Sequence, residues 1–309
     1  MKLFRNIVVF GLCAALLCGC TPKQDDNKGT ENNNTTQTET KTEPILTLEN
    51  YPKMDGSTAN LPLMAEVLSR TTGISREEAD NLVDCAMTPQ AWLNLANGDS
   101  DILLVYEAAE ETKQDLADIG TELDSTPIGN DALVFIVNED NPVESLTTQQ
   151  IKDIYMGKIT NWKEVGGNDA EIVPFQRGAT SGSQSLFMKL VMQDDEPMEA
   201  PKELAPGLMG ELIDQLAAYN NSGNALGYSV YYYASYMYTQ PGLKFIKVDG
   251  VMPTDETIAD ESYPHINPFF VAIRANEPED STARILRDWI VSDAGTEAIK
   301  AAGYIPVQK

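Results

Sequence analysis

A chain of 309 residues, 42% hydrophobic and 22% charged, is long enough to bury one large core or two ordinary ones. Its 47 acidic against 22 basic residues give a formal charge of −25. That balance excludes a nucleic-acid partner, which needs a basic face to displace phosphate counterions. A single histidine, His265, excludes the usual zinc sites and every Ser–His or Cys–His nucleophile not built on that residue.

In chain order, the first feature is a basic start, Lys2 and Arg5, followed by an apolar run from Ile7 to Leu17. The run is short for a bilayer span and suits a secretory signal peptide. It ends in Leu17-Cys18-Gly19-Cys20, which resembles the lipobox of bacterial lipoproteins. That resemblance implies a signal peptide over 1–19, cleavage before Cys20, and a diacylglycerol on the Cys20 thiol (palmitate among its acyl chains). The other reading is an ordinary cleaved signal. Cys13 and Cys18 leave with the peptide, so Cys85 is the one remaining thiol, and its apolar neighbours Ala86 and Met87 predict a buried structural role. Residues 21–43 hold no large apolar side chain and cannot offset their ordering entropy. They predict a disordered tether over 20–44, with a root-mean-square reach of roughly 25–30 Å.

From Ile45 onward short apolar runs alternate with helical segments. Asp101–Tyr106, Ala132–Asn138, Glu171–Gln176, Ala225–Ala234, Lys244–Val248 and Pro268–Arg274 predict strands, several apolar at successive positions as in strands covered on both faces. Helix ends are signalled by Thr147-Thr-Gln-Gln150, a capping box with Gly157 as the stop, by Ser281 before ARILRDWIVS, and by Gly303 closing Ala294–Ala302. The alternation predicts an α/β architecture with a largely parallel sheet.

Three loops combine hydroxyls, small residues and a helix start. They are Asp55-Gly56-Ser57-Thr58-Ala59 before the helix around Pro62–Leu68, Met87-Thr88-Pro89 with Thr88 as N-cap, and Gln176-Arg177-Gly178-Ala179-Thr180-Ser181-Gly182-Ser183. Helix N-termini carry unpaired N–H groups and a partial positive charge, and the planar fork of Arg177 matches two oxygens of a phosphate. Each loop taken alone also reads as an ordinary cap. The third contains no P-loop lysine, and no G-x-S-x-G elbow occurs, which argues against nucleotide hydrolysis and a serine nucleophile. Trp92 and Trp289 predict packing on apolar helix faces, Tyr231-Tyr232-Tyr233 alternate along a predicted strand, and His265 reads as a loop residue near a hinge.

Arg177 with Ser181-Gly182-Ser183 resembles the Arg-x-x-x-Ser-Gly-Ser/Thr element of the phosphate-binding proteins that serve bacterial ABC transporters. Ile128–Gly167 (IGNDALVFIVNEDNPVESLTTQQIKDIYMGKITNWKEVGG) is similar to that family's most recognisable stretch, as are Asn224-Ala-Leu-Gly-Tyr228 and Gly303-Tyr304-Ile-Pro306. The resemblance runs from about residue 54 to the C-terminus. It implies a type II periplasmic-binding-protein fold with two α/β lobes, a cleft and two hinge crossovers, lobe I being 45–134 plus 263–309 and lobe II 135–262. The implied phosphate ligands are Ser57, Thr58, Thr88, Arg177, Ser181, Gly182 and Ser183, the last replacing a threonine. Phosphate-specific members carry an aspartate where this chain has Tyr106, so Glu107 is the candidate for accepting the proton of monohydrogen phosphate; a solvated helix-start acid is the alternative.

The function this implies is that of an extracytoplasmic lipoprotein, anchored to the cell membrane, which captures inorganic phosphate and delivers it to ABC-transporter permease subunits. It implies no cofactor, metal or catalysis. Another tetrahedral oxyanion such as sulfate or molybdate, or a surface sensing or adhesion role on the same fold, are the alternatives. A surface phosphatase would need a metal cluster or an activated nucleophile, and the sequence displays neither.

Overall fold

The computed structural model describes residues 43–178, 181–199, 206–218 and 222–308. The signal peptide, the lipidation site Cys20 and nearly all of the expected tether lie outside the described residues, as do Ala179 and Thr180 of the third loop. The strands are β1 (Met54–Gly56), β2 (Ile102–Tyr106), β3 (Leu123–Asn138), β4 (Ser145–Leu146), β5 (Val173–Pro174), β6 (Ala225–Val230), β7 (Leu243–Phe245), β8 (Lys247–Val248), β9 (Ile266–Arg274) and β10 (Ile305–Pro306). The helices are α1 (Leu61–Thr72), α2 (Arg76–Leu82), α3 (Thr88–Asn97), α4 (Glu110–Ile119), α5 (Thr148–Tyr155), α6 (Gly182–Phe187), α7 (Met209–Ala218), α8 (Asp255–Ala259), α9 (Thr282–Ile290) and α10 (Asp293–Ala301).

The principal sheet runs β1-β2-β9-β3-β6-β5, with β10 and β7 also pairing with β3. Strand β3 organises it. Its first part, Leu123–Ala132, lies antiparallel to β9, and its second part, Leu133–Val137, lies antiparallel to β6. The exchange of partner between Ala132 and Leu133 carries the chain from one α/β half to the other. The return passes immediately alongside, where the Leu133 N–H donates to the His265 carbonyl (2.9 Å) as the chain enters β9. Register shifts between Pro127 and Gly129. Proline has no N–H for the ladder, and a Cβ at Gly129 would enter the Phe269 ring.

The sheet is mixed, which corrects the expectation of a largely parallel one. Pairs β1·β2 and β5·β6 are parallel, whereas β2·β9, β3·β9, β3·β6, β3·β7 and β3·β10 are antiparallel. Burial on both faces made these strands apolar, and burial does not reveal direction; the two crossing strands set it instead. Strand β3 also begins nine residues before the predicted Ala132, because its first part is a polar, half-exposed stretch. Conversely, β6 stops at Val230, and a helical turn over Tyr231–Met237 replaces the predicted strand end and the alternating tyrosines. The Asp131 carboxylate accepts the Tyr232 N–H (3.0 Å) and so provides for a donor that the ladder would otherwise use.

The helix ends that sequence marks are present. Thr147 and Gln150 form a reciprocal capping box on α5, and Ser281 accepts the Arg284 N–H to cap α9. Helices cover both faces of the sheet, so Ile102–Val105 of β2 and Leu133–Val137 of β3 are buried in full. Trp92 is buried and donates its indole N–H to the Tyr106 carbonyl (3.0 Å), and Trp162 donates to the Asn224 carbonyl (2.9 Å). Trp289, half-buried, packs on the core. These tryptophans are structural. His265 sits at the crossover, as expected, and is buried there, which pushes its imidazole down to about 4.

Candidate oxyanion site

Loop one leaves β1 at Gly56, where the backbone runs so close to the Leu104 carbonyl that a Cβ would collide with it. The Asp55 carboxylate then ties loop one to loop two: Oδ1 accepts the Ala86 N–H (2.7 Å) and Oδ2 the Asn94 side-chain amide on α3 (2.8 Å). Ser57 follows, its Oγ accepting the Tyr106 N–H (3.1 Å) and lying 2.7 Å from Thr88 Oγ1. Thr58 opens a 3₁₀ turn.

Loop two differs from its prediction. Met87 occupies the N-cap position of α3, with φ at +69°, and Thr88 is the first helical residue. Its hydroxyl turns to Ser57 instead of capping the helix. A methionine in the left-handed φ range is uncommon and implies that surrounding contacts hold this turn. Cys85 is half-buried rather than fully so, with Sγ 3.8 Å from Thr58 Oγ1, and burial pushes its thiol pKa up.

Loop three places Arg177 at 8% exposure. Its backbone N–H donates to Gln184 Oε1 (3.0 Å) and to the Tyr228 hydroxyl (3.1 Å). The guanidinium donates through Nε to the Pro206 carbonyl (3.1 Å), through Nη2 to the Gly207 carbonyl (2.7 Å) and through Nη1 to Ser183 Oγ (3.4 Å). All of these acceptors are neutral. Among the described residues no carboxylate pairs with Arg177, although Glu211 lies near enough to act on its charge. Burial lowers its pKa, because desolvation disfavours the cation. Ser181 and Ser183 hydroxyls lie 3.1 Å apart at the start of α6. A Cβ on Gly182 would stand 3.2 Å from Thr88 Oγ1, so the third loop meets the second from across the cleft.

Ser57, Thr58, Thr88, Glu107, Arg177, Ser181, Gly182 and Ser183 all line one cleft of about 1080 Å³. Tertiary structure thus brings together segments more than 100 residues apart in sequence. Glu107, however, is engaged. Its Oε1 accepts from Lys113 Nζ (2.7 Å) and its Oε2 pairs with Lys189, which belongs to the helical turn after α6 on the opposite wall. Burial alone would push the Glu107 carboxyl up; the two ammonium groups outweigh it and hold the carboxyl below its ordinary range. A carboxylate so held is a poor proton acceptor.

Two groups escaped sequence reasoning. Tyr106 donates its hydroxyl to Asp131 Oδ2 (2.6 Å), and Asp131, 1% exposed, accepts the Ala132 and Tyr232 N–H groups on Oδ1. Desolvation raises the Asp131 carboxyl to about 6 against the pull of these donors. Asp131 stands at the partner exchange of β3, a charge inside an otherwise apolar run, and that was the available signal. Lys189, one cation in the apolar QSLFMKLVM segment, carried none. Among the described residues no group of three or more His, Cys, Asp or Glu side chains could hold a metal, and no helix is long and apolar enough to cross a membrane.

The family model of the PBP superfamily domain matches residues 32–294. The phosphate-binding protein PstS of Borreliella burgdorferi is 25% identical over 309 residues, covering 98% of each chain. PstS of Bacillus subtilis is 29% identical over 172 residues, 55% of this chain and 53% of that protein. Among solved structures, a Clostridium perfringens phosphate ABC transporter substrate-binding protein with bound phosphate superposes with a TM-score of 0.64 at 28% identity, covering 84% of this chain and all of that one. An ABC-type phosphate transport receptor of Vibrio cholerae gives 0.61 at 25% identity, covering 82% and 98%. The two α/β halves joined by paired crossovers are the type II periplasmic-binding-protein fold.

Proposed function

The chain belongs to the PBP superfamily, and on that premise we propose that it captures inorganic phosphate in the cleft and delivers it to the permease of an ABC transporter. The observation that carries this reading is Arg177: a buried guanidinium with only neutral hydrogen-bond partners among the described residues, facing a cleft lined by serine and threonine hydroxyls. Burying an ion costs several kcal/mol, roughly, unless an opposite charge joins it. A doubly charged oxyanion supplies that charge, and the hydroxyls supply directed donors around it.

Lobe I, residues 45–134 with 263–309, contributes Ser57, Thr58 and Thr88; lobe II, residues 135–262, contributes Arg177, Ser181, Gly182 and Ser183. Closing the lobes about the crossovers at Leu133 and His265 assembles both sets on one ligand. The overall charge of −25 does not oppose this, because at physiological salt charges beyond about 8 Å are largely screened while hydrogen bonds in the cleft act at contact. No bond in the ligand is made or broken. The protein works on the outer face of the cell membrane, held by lipid on Cys20; the lipobox-like Leu17-Cys18-Gly19-Cys20 supports that anchor. Calorimetric titration with inorganic phosphate tests the reading: binding at one site is expected, with the Arg177→Ala protein losing it. Unchanged affinity in that variant refutes the assignment.

A further inference from the structure

The polar groups of the seat divide unevenly into donors and acceptors. Arg177 can only donate. Ser57 and Thr88 pair with each other, as do Ser181 and Ser183. A hydroxyl rotates to donate or to accept as its neighbour requires. Of the carboxylates in the cleft wall, Glu110, Glu111, Glu196 and Glu199 are exposed to solvent and none of them bonds to the seat, while the other three are committed elsewhere. Glu107 faces Lys113 and Lys189. Glu211 takes the N–H groups of Gly207 and Leu208 (both 3.0 Å), and Asp214 takes the Tyr238 hydroxyl (2.7 Å) and the Gln240 amide (2.8 Å). Asp131 is buried, does not line the cleft, and receives the Tyr106 hydroxyl. Among the described residues no carboxylate bonds to Arg177 or to these four hydroxyls.

We infer that this seat does not read the proton on its anion, and that it takes a fully ionised tetrahedral dianion, sulfate, alongside monohydrogen phosphate. The inference rests on the oxyanion reading of the cleft and refines its ligand class. Rejecting an unprotonated oxygen requires a fixed acceptor, which is left unpaired and repelled when the proton is missing. A carboxylate is such a group; a rotatable hydroxyl is not, since it donates to a bare oxygen as readily as it accepts from a protonated one. Sites with fixed, unforgiving hydrogen-bond partners discriminate by about 10⁴–10⁵, and sites without them by about 10².

The test is calorimetric titration of the full-length protein with phosphate at pH 8 and fixed ionic strength, alone and against increasing sulfate. Sulfate is expected to displace phosphate, with a dissociation constant no more than about 100-fold weaker. A larger ratio, or no displacement, overturns the inference and leaves the phosphate reading standing. Binding of neither anion overturns both. Direct titration of Arg177→Gln is expected to show both anions lost together. Sulfate affinity that survives there while phosphate is lost puts sulfate at another site and also overturns the inference. The displacement experiment needs no variant, so a folding failure of R177Q does not affect it.

Discussion

Replacing Arg177 by methionine (R177M) separates the stability of the empty protein from its response to ligand. In the empty state the substitution removes a desolvated cation, a change that for well-packed isosteres runs from neutral to about 1–4 kcal/mol stabilising. Against this, the Pro206 and Gly207 carbonyls and Ser183 Oγ lose their donor, at about 1–3 kcal/mol for each one left dry. With all three left dry, the net effect on the empty protein therefore runs from about 1 kcal/mol stabilising to about 9 kcal/mol destabilising, and each group that water reaches moves it back toward zero. In the liganded state the loss is one-sided. Truncating one partner of a buried charge contact costs about 2–5 kcal/mol, or about 30- to 5,000-fold in dissociation constant. At phosphate 1,000 times the wild-type dissociation constant, ligand stabilises the wild type by about 4.1 kcal/mol and a variant weakened about 1,000-fold by about 0.4 kcal/mol. For a chain of this size each kcal/mol moves Tm by about 2–4 °C, so the ligand-induced rise shrinks from about 8–16 °C to about 1–2 °C. Differential scanning fluorimetry with and without phosphate reads both numbers. Retention of more than half the wild-type rise in R177M refutes the role given to the guanidinium.

Other consequences are as direct. Lys189→Met breaks the pair that joins Glu107 to the opposite wall; at 32% exposure of Glu107, such a pair is worth about 0.2–1 kcal/mol after screening. Stopped-flow release should therefore quicken by less than about fivefold, and a hundredfold change shows that Lys189 touches the ligand. Ser57→Ala strips the Tyr106 N–H of its acceptor, so urea unfolding should show about 1–3 kcal/mol of lost stability together with weaker phosphate binding. Asp131 has a folded-state pKa raised to about 6 from 3.8, so its contribution is fully present below pH 3.8 and is lost as pH rises through 6. Asp131→Asn keeps an acceptor for the two N–H groups, and its amide can donate to the Tyr106 oxygen. The stability of D131N relative to wild type should accordingly rise between pH 4.5 and 7; a flat difference refutes the raised pKa.

What the residues determined alone was local. Thr147 and Gln150 cap α5 because both hydrogen bonds close within four residues, and Ser281 caps α9 for the same reason. The three hydroxyl-bearing loops were legible because each combines hydroxyls and small residues with a helix start, and the resemblance to phosphate-binding proteins singled out the same residues. Tertiary structure decided the rest, through contacts that local sequence does not encode. Antiparallel β9 and β3 run beside strands whose apolar runs are indifferent to direction. Asp131 turns Tyr232 out of a predicted strand from 101 residues away. Glu107 looked like a proton acceptor until Lys189, 82 residues on, stood against it. Arg177 could be recognised as a cation in a glycine-rich loop, but that it is buried without a counter-ion among the described residues follows only from where Pro206, Gly207 and Ser183 fall around it. Charge and hydrogen-bonding capacity belong to single residues, whereas whether they are already satisfied depends on the neighbours that folding supplies.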